Sequence, residues 1–305
     1  MCRGIKVMRK SFLILLVFIL MLCFSACEKG DKEIWDLIEY KELEDIISIE
    51  EIKIGDAFEG ASTVKTYNVR YKSDDCEVVS YISIPNKCLE NKEQYPCIIY
   101  NRGGNRNYGA NRPIDIAAMA ASFDKIVFAS QYRGNAGGTG KEEFGGADLQ
   151  DVIKLIDLCE EFSFVDMNNL YMVGVSRGGM MTYMAAREDE RIKKAAIISG
   201  ISDLFMWYEE RIDMRNGLSK EFIGGTPEEL SEEYEKRSAT YWADELKCPV
   251  LIIHSKLDER VSYKQAEKMV ECLKEAGIEH KFITYEDDVH GLHQEDFEII
   301  MEWCQ

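Results

Sequence analysis

Five short runs of almost uninterrupted apolar residues, at 97–100, 126–130, 170–173, 195–199 and 250–253, constrain this chain most. Each spans four or five residues, and none alternates apolar with polar. A strand with one wet face alternates, whereas a strand covered on both faces does not. Segments of helical character lie between or after the runs, notably 147–162, 177–187 and 263–276. Buried strands alternating with helices predict an α/β fold, a mostly parallel central sheet with helices on both faces. Ahead of these runs, 64–71 and 76–85 are β-rich and separated by Ser73-Asp74-Asp75, which predicts an antiparallel pair at the sheet edge. A last strand at 282–285 and a last helix at 297–303 complete the domain, read as 61–305.

Two segments stand outside the alternation. Residues 201–245 scatter Trp207, Tyr208, Phe222, Tyr234, Tyr241 and Trp242 among many charges. An insertion at the carboxyl ends of parallel strands overhangs the site there, so the segment reads as a helical lid. Residues 27–60 read as a tether followed by a short helix, with Ile34, Leu37 and Ile38 at helical spacing and Leu43, Ile46 and Ile47 continuing the apolar side.

Residues 1–26 read as an export signal. Arg3, Lys6, Arg9 and Lys10 precede the apolar run 12–24, and Ser25-Ala26-Cys27 follows. Cys27 sits where a lipidated cysteine would, with Phe24 in place of the usual Leu three residues earlier, so the segment resembles that of a bacterial lipoprotein. The expectation is a protein outside the cytoplasm, held to the membrane by an N-terminal lipid. The formal charge is −18, and removal of residues 1–26 leaves 33 basic against 55 acidic residues. Such a surface repels nucleic acid. Of ten cysteines, seven lie beyond Cys27 and none forms a C-x-x-C pair, so spacing assigns neither a metal site nor a disulfide.

The run 170–173 leads directly into Gly174-Val175-Ser176-Arg177-Gly178, and helix-forming residues follow. Strand, sharp turn and helix around G-x-S-x-G make a nucleophile elbow, which lifts the Ser176 hydroxyl clear of the sheet. A serine hydroxyl needs a base, and the base needs a group to hold its tautomer. In α/β-hydrolases these follow in the order Ser, Asp or Glu, His. His290 lies in a loop just past the last strand, Asp258 just past strand 250–253. His293 is the fallback base and Glu259 an adjacent acid; His254 lies inside a strand and reads as structural, and His280 opens the last strand. The oxyanion hole is expected from the backbone N–H of Arg177 and that of Arg102 or Gly103, in the loop after 97–100.

Tyr100-Asn101-Arg102-Gly103-Gly104-Asn105, Gln131-Tyr132-Arg133-Gly134, Phe144-Gly145-Gly146-Ala147-Asp148-Leu149-Gln150-Asp151-Val152, Gly174 to Gly179 and Pro249 to His254 together resemble the catalytic domain of the prolyl oligopeptidase family. The resemblance spans about residues 95–295. It implies an α/β-hydrolase fold and serine hydrolysis by Ser176, Asp258 and His290. The chain departs from the pattern in three ways: only residues 28–60 stand where many members carry a large propeller, Arg177 replaces a common aromatic residue, and Arg102 replaces a His or Tyr.

Other patterns carry less. The glycine-rich 134–142 fails as a phosphate loop, because Asn135 and Glu142 stand where Gly and Ser or Thr are needed. Asp287, Asp288, His290 and His293 imitate a metal cluster without a second ligand group. Glu209 and Glu210 could hold a substrate amine but read as a solvated helix face. The sequence therefore predicts a cofactor-free serine hydrolase acting on short peptides, with a small carboxylic ester as the alternative substrate. A binding lipoprotein on a scaffold that has lost catalysis is the alternative of another class. Oligomeric state is not legible.

Overall fold

A computed structural model describes residues 43–91 and 93–305. The signal segment, Cys27 and the helical spacing of Ile34, Leu37 and Ile38 lie outside the described residues.

In chain order the elements begin with β1 (Ile46–Ile52), β2 (Val64–Ser73), β3 (Cys76–Pro85) and α1 (Asn86–Asn91). Next come β4 (Tyr95–Asn101), α2 (Pro113–Phe123), β5 (Ile126–Ser130), α3 (Leu149–Glu161) and β6 (Val165–Val175). After these follow α4 (Arg177–Glu188), β7 (Lys194–Ile198), α5 (Leu204–Glu210) and α6 (Ser231–Lys236). The chain ends with β8 (Val250–Ser255), α7 (Tyr263–Ala276), β9 (His280–Tyr285) and α8 (Asp296–Trp303). The described residues form one nine-stranded sheet in the order β1-β2-β3-β5-β4-β6-β7-β8-β9. The pairs from β1 to β3, and β3 with β5, are antiparallel; every pair from β5 to β9 is parallel.

The lack of alternation in the apolar runs has a direct structural cause. Cys97 and Ile99 of β4, Leu170 and Met172 of β6, and Ile252 of β8 enter one core, which α3, α4 and α7 cover. Their neighbours Ile98, Tyr171, Val173, Leu251 and Ile253 enter the other, which α2 and α8 cover. Successive side chains of a strand point to opposite faces, so two cores require two apolar sets.

The short helix read through Leu43, Ile46 and Ile47 is corrected at Ile46–Ile52, which form strand β1 against the outer edge of β2, pairing Ile49 with Val69 and Ile52 with Thr66. Four isoleucines in seven residues suit an extended backbone, and β2 would otherwise present an open row of N–H and C=O groups. Only Ile49 is fully buried there, so periodicity alone could not separate helix from strand.

The 201–245 insertion is helical, with α5, a π-helical turn at Gly217–Ile223 and α6. It buries Leu204, Trp207, Leu218, Phe222 and Tyr234 in the larger core. Trp207 stacks on Phe144 at 5.7 Å and its Nε1 donates to the carbonyl of Arg260 at 3.1 Å. These two contacts pin the insertion over the carboxyl edge of the sheet.

Candidate active site

Asn101 pairs with Gly174, Val175 with Ile198, and Ser255 with Tyr285. The loops that follow β4, β6, β8 and β9 therefore leave one edge of the sheet together. Ser176 forms the one-residue turn between β6 and α4, at φ 57° and ψ −122°. A β-carbon makes that conformation costly, and it persists because the surroundings enforce it. The N–H of Ser176 donates to the carbonyl of Ile198 at 2.9 Å, and its own carbonyl accepts from the N–H of Gly179 at 2.9 Å. A Cβ at position 178 would fall within the carbonyl of Asn101, so only glycine allows α4 to start this close to β4.

Asp258 and His290 meet. Nδ1 of His290 lies 2.8 Å from Oδ2 of Asp258, and Oδ1 accepts the N–H groups of Arg260 at 2.8 Å and Val261 at 3.1 Å. Asp258 is 6 % exposed. Burial pushes its carboxyl up, but the bond from His290 and the two backbone donors outweigh this and hold it below the usual carboxylate range. It is therefore a fixed anion behind an imidazole that itself lines the cavity described next.

Ser176 and His290 line one cavity of about 600 Å³. Phe144, Ile201, Trp207 and Met214 supply an apolar wall, Arg211 and Arg260 add charge, and Gly103, Gly104 and Tyr108 close the side nearest the β4 loop. A Cβ on Gly103 would sit 3.1 Å from Cβ of Ser176, so this backbone passes directly beside the serine. Among the described residues, no acceptor takes the backbone N–H of Gly103 or of Arg177.

The fallback residues are placed elsewhere. His293 sets Nε2 3.1 Å from Asp287 and Nδ1 3.3 Å from Asp296, and its ring stacks on Tyr285 at 3.9 Å. Both of its nitrogens are engaged away from the cavity. His254 is buried beneath the acid. Burial pushes its imidazole down despite Asp258 3.6 Å away, so it stays neutral. Its Nε2 donates to the carbonyl of Val261 at 2.8 Å, which fixes the tautomer, because a carbonyl only accepts. Glu209 pairs with Arg215 at 2.5 Å. Neither Glu209, Glu210 nor Glu259 lines the cavity. The glycine-rich 134–142 loop folds back onto β3, with the N–H of Thr139 donating to the carbonyl of Glu77 at 2.8 Å.

One group the sequence reading left incomplete lies beneath the cavity. Arg102 and Arg177 were expected to contribute backbone N–H groups, yet both side chains are 1 % exposed. Their guanidinium carbons lie 5.2 and 4.8 Å from the ring centre of Tyr132, and Arg177 also lies 4.7 Å from that of Phe144. Arg177 forms ion pairs with Glu142 and Asp148, and Glu142 also approaches Arg102 at 3.7 Å. Burial opposes ionisation of Glu142, but the Arg177 charge outweighs it and holds the carboxyl low. Two cations and two anions thus balance in the core. Two arginines beside apolar strand ends were the available signal, since buried guanidinium groups demand acids.

The model of the prolyl oligopeptidase family matches residues 114–304. An uncharacterised peptidase of Bacillus subtilis, YtmA, is 35 % identical over 214 residues, covering 70 % of this chain and 80 % of that protein. Dipeptidyl-peptidase 5 of Porphyromonas gingivalis is 25 % identical and matched over 34 % of its own length, so this chain corresponds to only a part of such relatives. Among solved structures, the Pyrococcus horikoshii acylaminoacyl peptidase superposes with a TM-score of 0.68 at 26 % identity, covering 79 % of this chain and 41 % of that one. An acetyl xylan esterase from Paenibacillus sp. R4, 17 % identical, shares the fold with a TM-score of 0.68 over 92 % of its length.

Proposed function

The chain belongs to the prolyl oligopeptidase family and is a serine hydrolase, and from that premise we propose that it cleaves short peptides through an acyl-enzyme, with Ser176, His290 and Asp258 as its triad. Ser176 Oγ attacks the acyl carbon while its proton passes to Nε2 of His290. The carbonyl π electrons move onto oxygen. Collapse of that oxyanion breaks the bond to the leaving amine, which takes the proton from His290. Water repeats the sequence on the acyl-enzyme and releases the acid. Asp258 holds the proton of His290 on Nδ1 and stabilises the imidazolium. The backbone N–H groups of Arg177 and Gly103 would receive the oxyanion; the closeness of Gly103 to Ser176 favours it over Arg102.

The observation that carries this reading is the 2.8 Å contact between His290 and Asp258 behind a serine that lines the same cavity. The peptide substrate rests on the relatives, whose printed names are peptidases. Export and lipidation at Cys27 belong to the same proposal and rest on residues 1–27. Labelling by a fluorophosphonate that disappears in both Ser176→Ala and His290→Ala tests the triad. No labelling of a folded wild type would turn the reading to a binding protein. Comparison of kcat/KM on N-acyl-aminoacyl anilides and on acyl esters tests the substrate, and turnover of esters alone would reassign it to the esterases.

A further inference from the structure

Resting on the reading of Ser176 as the nucleophile, we propose that Tyr132 is a positioning residue that aims the Gly103 N–H into the oxyanion hole, and that the buried Arg102 and Arg177 clamp it in place. The Tyr132 hydroxyl donates to the carbonyl of Arg102 at 3.1 Å. That carbonyl and the N–H of Gly103 belong to the same peptide unit. In a trans peptide the two point in opposite directions. A hydroxyl that holds the carbonyl from the core side therefore turns the N–H the other way, toward the cavity that Gly103 and Ser176 share.

The rest of the loop is held by the same cluster. Arg102 donates to the carbonyls of Gly103 at 3.2 Å, Arg106 at 2.9 Å and Tyr108 at 3.2 Å. Arg177 donates to the carbonyl of Gly104 at 3.1 Å, and Glu142 accepts the N–H of Arg106 at 2.8 Å. Four carbonyls between 103 and 108 thus face buried cations. Tyr132 itself packs against both guanidinium groups and sits at φ 62°. Its N–H donates to Oγ of Ser130 at 3.0 Å. Burial pushes its phenol well up, against the pull of the arginine charges, so the hydroxyl keeps its proton and remains a donor. An oxyanion donor must be aimed before the charge develops, and a two-glycine loop has no stiffness of its own with which to do so.

The test is Tyr132→Phe in the full chain, which removes one oxygen and leaves the stacked ring. The probe is a fluorophosphonate, whose phosphoryl oxygen must enter the same hole. Inactivation is followed against probe concentration and pH, with thermal unfolding and the His290 Nδ1 proton resonance recorded alongside. We expect a limiting rate about tenfold lower, with the apparent inhibition constant, the apparent pKa of the rate and the His290 resonance unchanged. That combination separates a misaimed donor from a disturbed triad, which would move the pKa. A limiting rate within about twofold of wild type overturns the proposal, as does a loss accompanied by a shifted pKa or resonance. A wild type that does not react at all overturns the hydrolase reading, and this inference with it.

Discussion

Oδ2 of Asp258 lies 2.8 Å from Nδ1 of His290, while Oδ1 of the same carboxylate is tied to the backbone of Arg260 and Val261. One oxygen anchors the acid loop and the other orients the base. Asp258→Asn keeps the shape but offers an amide where an acceptor is needed, which favours the wrong imidazole tautomer. We expect kcat to fall by about 10³–10⁴-fold with KM little changed, as steady-state kinetics would read. A loss smaller than about tenfold would mean that Asp258 does not hold the base.

The neutral His254 beneath this pair makes stability depend on pH. Its folded pKa is depressed, so the unfolded chain binds a proton near its ordinary pKa of about 6.5 that the folded chain does not. Stability is full above that value and is lost as pH falls from there toward the folded pKa, with a slope of up to about 1.4 kcal/mol per pH unit. Urea unfolding of wild type and His254→Asn between pH 7.5 and 5 would show the wild-type curve falling more steeply. Parallel curves would remove His254 from the account.

The core charges balance only as a set. Asp148 is fully buried against Arg177. Asp148→Ala leaves a cation in the core with half its compensation, and removal of one partner of such a pair costs about 3–5 kcal/mol. Replacing Arg177 as well, by Met, should recover part of that loss. A double-mutant cycle in urea that gives additive effects would contradict the coupling.

Export is tested at the other end of the chain. If Cys27 carries the lipid, the intact mass of the detergent-extracted protein should be that of residues 27–305 plus a thioether-linked lipid, and Cys27→Ser should lose that added mass without altering fluorophosphonate labelling. An unmodified Cys27 on a wild-type chain that keeps residues 1–26 would point to an uncleaved anchor.

The parallel sheet and the sharp turn at Ser176 were legible in the sequence because each depends on local chemistry, and Asp258 and His290 stood out as candidates because each follows the end of its own strand. A strand buried on both faces must be apolar throughout, and a turn that passes Asn101 must be glycine at 178. Strand β1 was less legible, since a run of isoleucines with one fully buried residue matches either period until the edge of β2 is known to be open.

By itself, then, the sequence determined the layers, the strand ends and which residue types could carry acyl transfer. The tertiary structure alone decided which histidine faces Asp258, that the side chains of Arg102 and Arg177 turn inward around Tyr132, and that Glu142 and Asp148 answer them. The reason is range. Periodicity and turn chemistry act between neighbours in the chain, whereas a buried charge is settled by whatever the fold brings within a few ångströms, here from segments 29 to 73 residues apart.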